Sequence, residues 1–595
     1  MEKTRTNRAE RYDTTRYQGA TGLNWYTSDP SLQFLMRYYM RPEELAFVEP
    51  RLERLGALMG GEVSARAEET DRNPPRLERY DRWGHEVGDI VLPDSFLQNR
   101  RAVLDASFAR PAVQAEAKAA GVRLNAANAA WSYLLDQAEI GMACAVGTGS
   151  DMVRELVARF APADVRDKVL EKFASGEWDG ETAQSLTERT GGSDLAELET
   201  RATRDGDAWL LNGVKWFVSN ANGQAYVVLA KPEGGSDDAR GICSFLVLRE
   251  RRDGTRNGLI IRRLKDKLGT KAVASAEVEL MNAEAFLLSS DTPVAAGEGS
   301  TEGSVGDGKG LTRMMAMTNG ARLGIAMMGL GCARRALVEA LLYAQARAAF
   351  GRPLAEQPLM RRKLAELIVD VEANQALVFD GFGLQNRMQA SPSRLRIGAP
   401  VVKLQAARLG ITAASDAIEV HGGNGYVESW PVARILRDAQ VNTIWEGPDN
   451  ILCLDVRRGI RRERADEPFL ARLAEAAANG GDDPTAALVA DRVADLARAI
   501  EAWKRLDADD PVTAEARLFA LTNFMGEVYA GALLVEQAAW ERSETGGDRK
   551  SLVAGLYAAR HLAPPDPLRG IAAPEGGDLS RFDDLVAGAL TPVPV

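Results

Sequence analysis

A β-rich block interrupts a chain whose pattern is otherwise helical. Within residues 181–290, runs such as "DAWLLNGVKWFVSNANGQAYVVLAKP" and "ASAEVELMNAEAFLL" are separated by glycine and asparagine turns, as in a compact antiparallel sheet. Residues 46–180 and 310–462 instead place apolar side chains three and four positions apart, as in "PEELAFVEPRLERLGALMGGEV". We therefore predict an α+β multidomain fold, with a middle β domain between an N-terminal helical domain and a C-terminal helical bundle.

The two ends of the chain form further segments. Residues 1–45 are rich in aromatic side chains without clear periodicity, which fits a poorly structured lead-in as well as an arm packed on the body or on a neighbouring subunit. Residues 463–595 indicate an additional helical segment followed by a proline- and glycine-rich tail. The stretch 289–309, "SSDTPVAAGEGSTEGSVGDGK", is low in complexity and predicts a mobile loop.

Composition argues against several functional classes. A net charge of −11 disfavours a general polyanion binder and leaves room only for a local basic patch. Four cysteines without a CxxC pair, together with three histidines, argue against a Cys/His zinc site and predict reduced intracellular thiols. The sequence has no apolar leader and no uninterrupted apolar run of about 18 residues. We therefore expect a cytoplasmic protein.

Three glycine-containing stretches could contact a ligand, and each also has a simpler structural explanation. "LTERTGGSDL" (186–195) offers N–H groups and hydroxyls to a phosphate, or forms an ordinary turn. "HGGNGY" (421–426) lets backbone approach a ligand closely, or joins two helices. "YAQARAAFGRPLAEQPLM" (343–360) places Arg347 at a glycine-broken helix end, where it meets a pyrophosphate or is simply solvated. No Walker A motif occurs, and "GLGCAR" lacks the third glycine of a Rossmann fingerprint.

Two further stretches each carry candidate side chains. "NGVKWFVSNA" places Trp216 and Ser219 on one strand, where a core tryptophan and an edge serine are the simpler explanation. "TIWEGPDNIL" places Glu446 inside an apolar run. Glu446 is either a surface charge at a helix start or a base whose pKa the neighbouring Ile444 and Trp445 raise by removing water.

Taken together, these stretches resemble one family. "LTERTGGSD", "KWFVSNA", "YAQARAAFG…Q", "EVHGGNGY" and "RDAQVNTIWEG" follow the order and approximate spacing of the acyl-CoA dehydrogenase flavoenzymes, over residues 50–460. "NPPRLERYD", "RLKDKLG", "QPLMRRKL" and "VNTIWEGPDNILCLDVRRG" are similar to the AidB-like branch of that family. The resemblance implies the acyl-CoA dehydrogenase fold, in which an N-terminal helical domain, a middle antiparallel β domain and a C-terminal four-helix bundle enclose FAD as cofactor.

The resemblance also implies which residues bind FAD. One group would line the flavin, with Trp216 near the ring system and Ser219 in place of the usual threonine near flavin N5. A second group would reach the pyrophosphate and adenine end, in part from a neighbouring subunit of a dimer of dimers. The implied cofactor-binding residues are Leu186, Thr187, Gly192, Ser193, Trp216, Ser219, Arg347, Phe350, Gln357, Gly422, Gly423 and Gly425.

Glu446 falls on the catalytic base of the family. It would take the α-proton of an acyl thioester while fixed donors stabilise the developing enolate oxygen, and the product would be a trans-2-enoyl thioester. Some family members carry the base before the arginine of "TNGARLG", where this chain has Ala321. Pro448 replaces the usual threonine or serine after Glu-Gly, and Asp449 adds a negative charge beside the base.

The implied partners are an acyl-CoA or other acyl thioester, an electron-transfer protein and further copies of the chain as a homotetramer. Two alternatives stay open on the same fold. Reduced flavin could activate oxygen for a monooxygenation, or the protein could be a nucleic-acid-associated flavoprotein with weak or no dehydrogenase activity. Residues 465–595 contain 22 acidic and 12 basic side chains, which disfavours DNA binding.

Overall fold

The structure is a computed structural model that describes residues 17, 19–148, 150–178, 182–289, 309–382, 392–564 and 580–591. Helices dominate before residue 178 and after residue 309, while the strands of a seven-stranded sheet fall between residues 182 and 287. The α+β class is therefore confirmed. The predicted loop at 289–309 lies, apart from its two end residues, outside the described residues.

The α-helices are numbered in chain order. Those before the sheet are α1 Pro30–Tyr39, α2 Pro42–Leu58, α3 Ser64–Arg72, α4 Asp94–Asp105, α5 Pro111–Ala120, α6 Asn125–Ala138, α7 Ile140–Ala143, α8 Ser150–Phe160 and α9 Ala163–Ala174. Those after it are α10 Gly310–Ala346, α11 Pro358–Gly381, α12 Pro392–His421, α13 Pro431–Ala439, α14 Asp449–Glu463, α15 Asp466–Asn479, α16 Pro484–Asp509, α17 Pro511–Ala516, α18 Leu518–Thr545, α19 Arg549–Tyr557 and α20 Phe582–Ala589. Short 3-10 or π turns are Met59–Val63, Cys144–Thr148, Leu195–Glu197, Ala239–Gly241, Leu354–Glu356, Gly422–Tyr426, Gln440–Thr443 and Ala558–Leu562.

The chain divides into two compact units. The helical unit comprises Met1–Ala65, Asp105–Ile140 and Arg322–Val595, and the sheet unit comprises Arg66–Leu104 and Gly141–Ala321. The predicted domains, 1–45, 46–180, 181–290, 310–462 and 463–595, are drawn from changes in the sequence pattern and stay predictions.

The strands of the sheet unit form a hairpin and a seven-stranded sheet. They are β1 Arg76–Tyr80, β2 Glu86–Val91, β3 Thr182–Ser185, β4 Arg201–Asp205, β5 Ala208–Ser219, β6 Ala225–Pro232, β7 Cys243–Leu248, β8 Leu259–Leu264 and β9 Ser275–Leu287. Pairings β4–β5, β5–β9, β9–β7, β7–β6 and β6–β4 return to the starting strand, so these five strands close on themselves. The pairings of β6 with β3 and β4 are parallel, whereas the sequence predicted antiparallel strands throughout.

A buried ion pair joins β5 of the sheet to the loop that follows β3. Lys215 and Glu188 are both almost fully buried, and Lys215 Nζ donates to Glu188 Oε1 at 2.6 Å. Lys215 also donates to the carbonyl of Leu229 at 2.7 Å, and Thr200 Oγ1 donates to Glu188 at 2.5 Å. Removal of either partner would leave an uncompensated buried charge. The pair therefore holds the loop at residues 186–193 against β5.

Helices α10 and α12 of the helical unit cross at glycines. A Cβ on Gly410 would lie 2.8 Å from the carbonyl oxygen of Gly329, and a Cβ on Gly329 would lie 2.6 Å from that of Ala406. The two helix backbones can approach each other this closely because glycine has no Cβ at the crossing. The crossing holds the side chains of Arg322 on α10 and Lys403 on α12 in one interior region.

The C-terminal segment packs into the same helical unit. Arg472 on α15 is 7% exposed and donates to Asp380 on α11 at 3.1 Å and to Glu536 on α18 at 2.7 Å. Tyr38 on α1 donates to the same Glu536 at 3.1 Å. Helices from both ends of the chain therefore share one buried charge cluster.

Within the described residues, one helix passes a length and composition test for a membrane span. It is α18, Leu518–Thr545, and 72% of its apolar window is buried inside the protein. Burial of this kind is typical of a core helix of a globular unit. The expected cytoplasmic location stays a prediction.

The basic stretch at 457–466 is largely paired with acids. Arg457 and Arg461 both contact Asp507, and Arg464 contacts Glu467 at 2.5 Å. The positive charges therefore stabilise the fold rather than form a continuous stripe for phosphates.

Candidate active site

Glu446 lies in a tight turn between the 3-10 turn Gln440–Thr443 and helix α14. Its φ is +53°, in the left-handed region that costs a non-glycine residue about 1–2 kcal/mol. Gly447 follows with a φ of +103°. A strained pair of this kind persists only where surrounding contacts hold it, so the contacts of the turn are informative.

Two buried cations hold the carbonyls of this turn. Arg322 Nε donates to the carbonyl oxygen of Glu446 at 3.2 Å, and Lys403 Nζ donates to that of Gly447 at 2.8 Å. The two side chains are among the most buried in the chain, at 2% and 0% exposure. In the described part of the chain, the backbone N–H groups of Glu446 and Gly447 have no hydrogen-bond acceptor.

Burial and, against it, the charges around the turn determine the proton affinity of Glu446. Its side chain is half-buried, and loss of water around the carboxyl raises the pKa of Glu446 above the usual glutamate value, against the opposing charges of Arg322 and Lys403. Burial lowers the pKa of Lys403 to about 8, although Asp449 and Glu446 favour its charged form. Glu446 therefore has the raised proton affinity expected of a general base.

The two departures from the family pattern have structural explanations. Pro448 precedes helix α14, where its missing N–H leaves no helical hydrogen bond unmade, and its carbonyl accepts from the N–H of Ile451 at 2.8 Å. Asp449 is buried, and its carboxylate accepts from Arg408 Nε at 2.7 Å. This pairing offsets the negative charge beside the base.

Arg347, Phe350 and Gln357 meet in a small hairpin between α10 and α11. Its strands are β10 Ala348–Ala349 and β11 Arg352–Pro353. Gln357 Nε2 donates to the carbonyl of Ala349 at 3.1 Å, and the carbonyl of Arg347 accepts from the N–H of Leu354 at 2.8 Å. The hairpin thus gathers the three predicted residues at one place.

Phe350 stands at the tip of this hairpin. Its side chain is 97% exposed, and its φ is +53°, followed by Gly351 with a φ of +81°. A fully exposed phenylalanine in the left-handed region gains nothing from burial within its own chain. Its exposure suits a residue that contacts a ligand or another molecule.

The predicted glycines at 422, 423 and 425 form the 3-10 turn Gly422–Tyr426 after α12. A Cβ on Gly422 or Gly423 would meet nothing within 4 Å, whereas one on Gly425 would lie 2.6 Å from the carbonyl oxygen of Ile418. The first two glycines therefore leave open space beside the backbone, and the third is required by packing. Asn424 Nδ2 donates to the hydroxyl of Tyr343 at 3.1 Å and fixes the turn to α10.

The remaining predicted residues lie in the sheet unit, where residues 186–193 fold back on themselves. A Cβ on Gly192 would lie 2.7 Å from Thr187 Oγ1, so only glycine fits above that hydroxyl. The carbonyl of Thr187 accepts from the N–H of Trp216 at 2.8 Å, which joins the loop to β5. Gly192 and Ser193 are exposed, while Leu186 and Thr187 are half-buried.

Trp216 and Ser219 follow on β5. Trp216 is half-buried, with Lys265 Nζ 3.4 Å from the centre of its ring. Ser219 Oγ lies 3.0 Å from Ser275 Oγ of the paired strand β9. Leu186, Thr187, Gly192, Ser193, Trp216 and Ser219 are therefore grouped in the sheet unit, and the other seven predicted residues lie in the helical unit.

Sequence reasoning did not single out Lys403 or the role of Arg322. A lysine inside the apolar stretch "APVVKLQAA" is an unusual core residue and was the available signal. Arg322 follows Ala321 in "TNGARLG", but nothing in that stretch indicates that it binds the carbonyl of Glu446.

Family models match most of the chain in three parts. Residues 17–203 match the adaptive response protein AidB N-terminal domain, 183–283 the acyl-CoA dehydrogenase middle domain and 308–461 the acyl-CoA dehydrogenase C-terminal domain. The putative acyl-CoA dehydrogenase AidB of Escherichia coli (strain K12) is 31% identical over 404 residues, which cover 66% of this chain and 70% of that protein. The chain belongs to the acyl-CoA dehydrogenase family. Its N-terminal match places it in the AidB-like branch.

Two further comparisons extend over nearly the whole chain. Acyl-CoA dehydrogenase family member 11 of Caenorhabditis elegans is 27% identical over 545 residues, covering 87% of this chain and 85% of that protein. The crystal structure of Caenorhabditis elegans ACDH-11 in complex with C11-CoA matches with a TM-score of 0.79 and 25% identity, covering 92% of this chain and 93% of that one. This member of the family is therefore an FAD-dependent, acyl-CoA dehydrogenase-like oxidoreductase, as the motifs predicted.

Proposed function

We propose that this enzyme oxidises an acyl-CoA between Cα and Cβ to the trans-2-enoyl-CoA, with Glu446 as general base. The observation that supports this most is the Glu446–Gly447 turn. A carboxylate with a raised pKa stands next to two N–H groups without acceptors in the described residues, in a backbone held by two buried cations.

The chemistry requires both parts of the turn. The Glu446 carboxylate takes the α-proton of the thioester. A hydrogen then leaves Cβ as hydride, and the electron pair of the broken Cα–H bond forms the double bond. Negative charge that develops on the thioester oxygen needs a fixed donor, and the N–H of Glu446 is such a donor. FAD, when bound, supplies the acceptor for the hydride that leaves Cβ.

The residues present fit FAD at two places. In the sheet unit, the cradle at Gly192 has no room for a Cβ, and exposed N–H and hydroxyl groups surround it. In the helical unit, Gly422 and Gly423 have open space where a dinucleotide could approach the backbone. We propose that the predicted residues of the sheet unit hold the flavin. Arg347, Phe350, Gln357 and the Gly422–Tyr426 turn hold the pyrophosphate and adenine.

We also propose a homo-oligomer, dimer or tetramer, in which Phe350 contacts the cofactor or surface of another copy. The support is the hairpin tip, where the exposed Phe350 adopts a left-handed, strained backbone conformation. Contact with another copy would stabilise this conformation. Sedimentation of the native protein and of a Phe350→Ser variant tests this, because loss of the contact should shift the variant to smaller species.

Acyl-CoA is the proposed substrate class because the nematode relative was crystallised with C11-CoA. The physiological electron acceptor is proposed to be an electron-transfer protein, on family grounds. Product analysis separates dehydrogenation from the alternative monooxygenation: the first removes two hydrogens from the acyl group, and the second adds an oxygen atom. Mass spectrometry of the acyl-CoA after turnover with an artificial electron acceptor should show the enoyl product, and an oxygenated product would overturn the proposal.

The rate of substrate oxidation should depend on pH through Glu446. The base works only as the carboxylate, and burial raises its pKa, so activity should fall as pH decreases through a value above the ordinary glutamate range. Single-turnover rates measured across pH with the same substrate should show this acid limb. A rate that is flat down to the ordinary glutamate pKa would contradict the raised pKa.

Gly192→Ala should weaken FAD binding about tenfold, because overpacking of this size costs about 1–2 kcal/mol. The added methyl would collide with Thr187 Oγ1 and displace the loop. Titration of the stripped protein with FAD, followed by flavin fluorescence, measures the affinity. Gly61→Ala is the matched control, since a Cβ there meets nothing within 4 Å.

A double variant tests the steric cause. Thr187→Ala in the Gly192→Ala background removes the two atoms nearest the new methyl and leaves Cβ at 3.4 Å, an ordinary contact. Because Thr187 also belongs to the proposed FAD-binding group, Thr187→Ala alone is the reference for this variant. Relative to that reference, Gly192→Ala should cost less affinity than it does in the wild type, and an equal cost would mean that the loss does not come from this collision.

A further inference from the structure

Lys403 is a lysine with no exposed surface, and its recorded hydrogen bond is to a backbone carbonyl rather than to a carboxylate. Burial of an ammonium is unfavourable unless the group is paired and hydrogen-bonded. Its charged neighbours are spread over three helices and the turn: Arg322 on α10, Arg408 on α12, Asp449 on α14 and Glu446. Its hydrogen bond to Gly447, at 2.8 Å, lies beside the proposed base.

Gly447 is the residue most able to move in this turn. Glycine populates both signs of φ, so nothing in its own chemistry keeps it at +103°. Arg322 fixes the peptide between Glu446 and Gly447, and Lys403 fixes the peptide between Gly447 and Pro448. With both peptides held, φ and ψ of Gly447 are fixed, and so is the direction of the Glu446 carbonyl.

The direction of the carbonyls also determines the direction of a donor. In a trans peptide the C=O and the N–H point in opposite directions. The bond from Arg322 to the Glu446 carbonyl therefore turns the Gly447 N–H away from the guanidinium. This N–H and that of Glu446 have no acceptor within the described residues, so both are available to a ligand.

We propose that Lys403 is a positioning residue for the reaction, which holds the Glu446–Gly447 turn through the Gly447 carbonyl so that base and backbone donors face the thioester together. The inference rests on the proposed function, and it adds a role for a side chain that touches neither substrate nor cofactor. Arg322 supports the same turn from α10, but its bond to Asp455 gives it a second structural task.

The test compares Lys403→Met with Lys403→Arg in the FAD-loaded enzyme. Methionine keeps length and apolar volume but loses the charge and the hydrogen bond. A small displacement of the base lowers the rate by about a hundredfold, so Lys403→Met should reduce the anaerobic rate of flavin reduction by that order. Lys403→Arg should recover much of the rate because it can still donate to the Gly447 carbonyl.

The pH profile distinguishes positioning from general destabilisation. Lys403 lowers the pKa of Glu446, so its removal should move the acid limb to higher pH. In the wild type, the rate should also decline above about pH 8, as Lys403 loses its proton and its bond to Gly447 is no longer charge-assisted. Lys403→Arg should lack that alkaline decline, because arginine stays protonated.

Lys550→Met is the matched control. Lys550 is 2% exposed and pairs with Glu372 at 2.9 Å, so its loss also removes a buried lysine. It should reduce thermal stability without moving the acid limb. If Lys550→Met changes the profile as Lys403→Met does, or if Lys403→Met keeps the wild-type rate and profile, the positioning role is wrong.

Failure of this inference can be separated from failure of the proposed function. A Glu446→Gln variant that still reduces its flavin with the acyl-CoA substrate would remove the base assignment, and the role of Lys403 with it. A Glu446→Gln variant that is inactive, beside a Lys403→Met variant with wild-type behaviour, would leave the proposed function intact and overturn only the positioning role. FAD absorbance and melting temperature, recorded for every variant, identify any protein that fails to fold.

Discussion

Glu446→Gln should lower the rate of acyl-CoA oxidation about a thousandfold while FAD remains bound, because general-base catalysis contributes about 10²–10⁴-fold. Glutamine preserves the size of the side chain and its backbone N–H but cannot accept the α-proton. The half-buried position of Glu446 and the two clamped carbonyls leave the turn itself unchanged. Stopped-flow measurement of flavin reduction under anaerobic conditions reports the loss directly.

Glu467→Gln is the matched control for this change. Glu467 is exposed and pairs at the surface with Arg464, so the same chemical substitution should leave the rate unaffected. A Glu446→Gln enzyme within about tenfold of the wild type would contradict the base assignment, since that factor lies below the range of general-base catalysis.

Arg472→Leu should destabilise the helical unit by about 3–5 kcal/mol, the range measured when one partner of a buried ion pair is removed. The substitution would remove the buried guanidinium that pairs with the carboxylates of Asp380 and Glu536. Tyr529 and Tyr38 donate to these carboxylates but cannot neutralise them. Urea unfolding followed by circular dichroism should show a lower midpoint.

Two comparisons make this result specific. Arg464→Leu removes a surface pair and should change the free energy of unfolding by less than about 1 kcal/mol. Adding Asp380→Asn and Glu536→Gln to Arg472→Leu removes the two negative charges that Arg472 pairs with, and should recover much of the loss. An Arg472→Leu protein as stable as the wild type would mean that the C-terminal helices do not depend on this cluster.

Local patterns were enough to place the β block and the long helices. Alternation and turn residues identified β5 and β9, and three- and four-residue spacing identified α2 and α11. The pairing of the strands was less accessible. The parallel pairing of β3 with β6 joins strands that are separated in sequence by β4 and β5, and no hairpin signal marks such a connection.

The candidate site also has a part that short motifs reveal and a part that depends on contacts between residues distant in sequence. Glu446 and the glycine turns could be found because short motifs carry them. The contact between Lys403 and Gly447 joins residues 44 positions apart, one on α12 and the other in the turn before α14. Sequence patterns report the period of each helix but not which backbone carbonyl a buried lysine will reach.

The most direct test of the proposed function is to mix the FAD-loaded protein with an acyl-CoA panel under anaerobic conditions, and to follow the absorbance of oxidised flavin. The panel should contain straight, branched and aromatic acyl groups, including an eleven-carbon chain like that in the nematode relative's crystal structure. We expect at least one thioester to remove the flavin absorbance rapidly and to yield its trans-2-enoyl product. If every thioester leaves the flavin oxidised while dithionite reduces it, acyl-CoA oxidation is not the reaction of this protein.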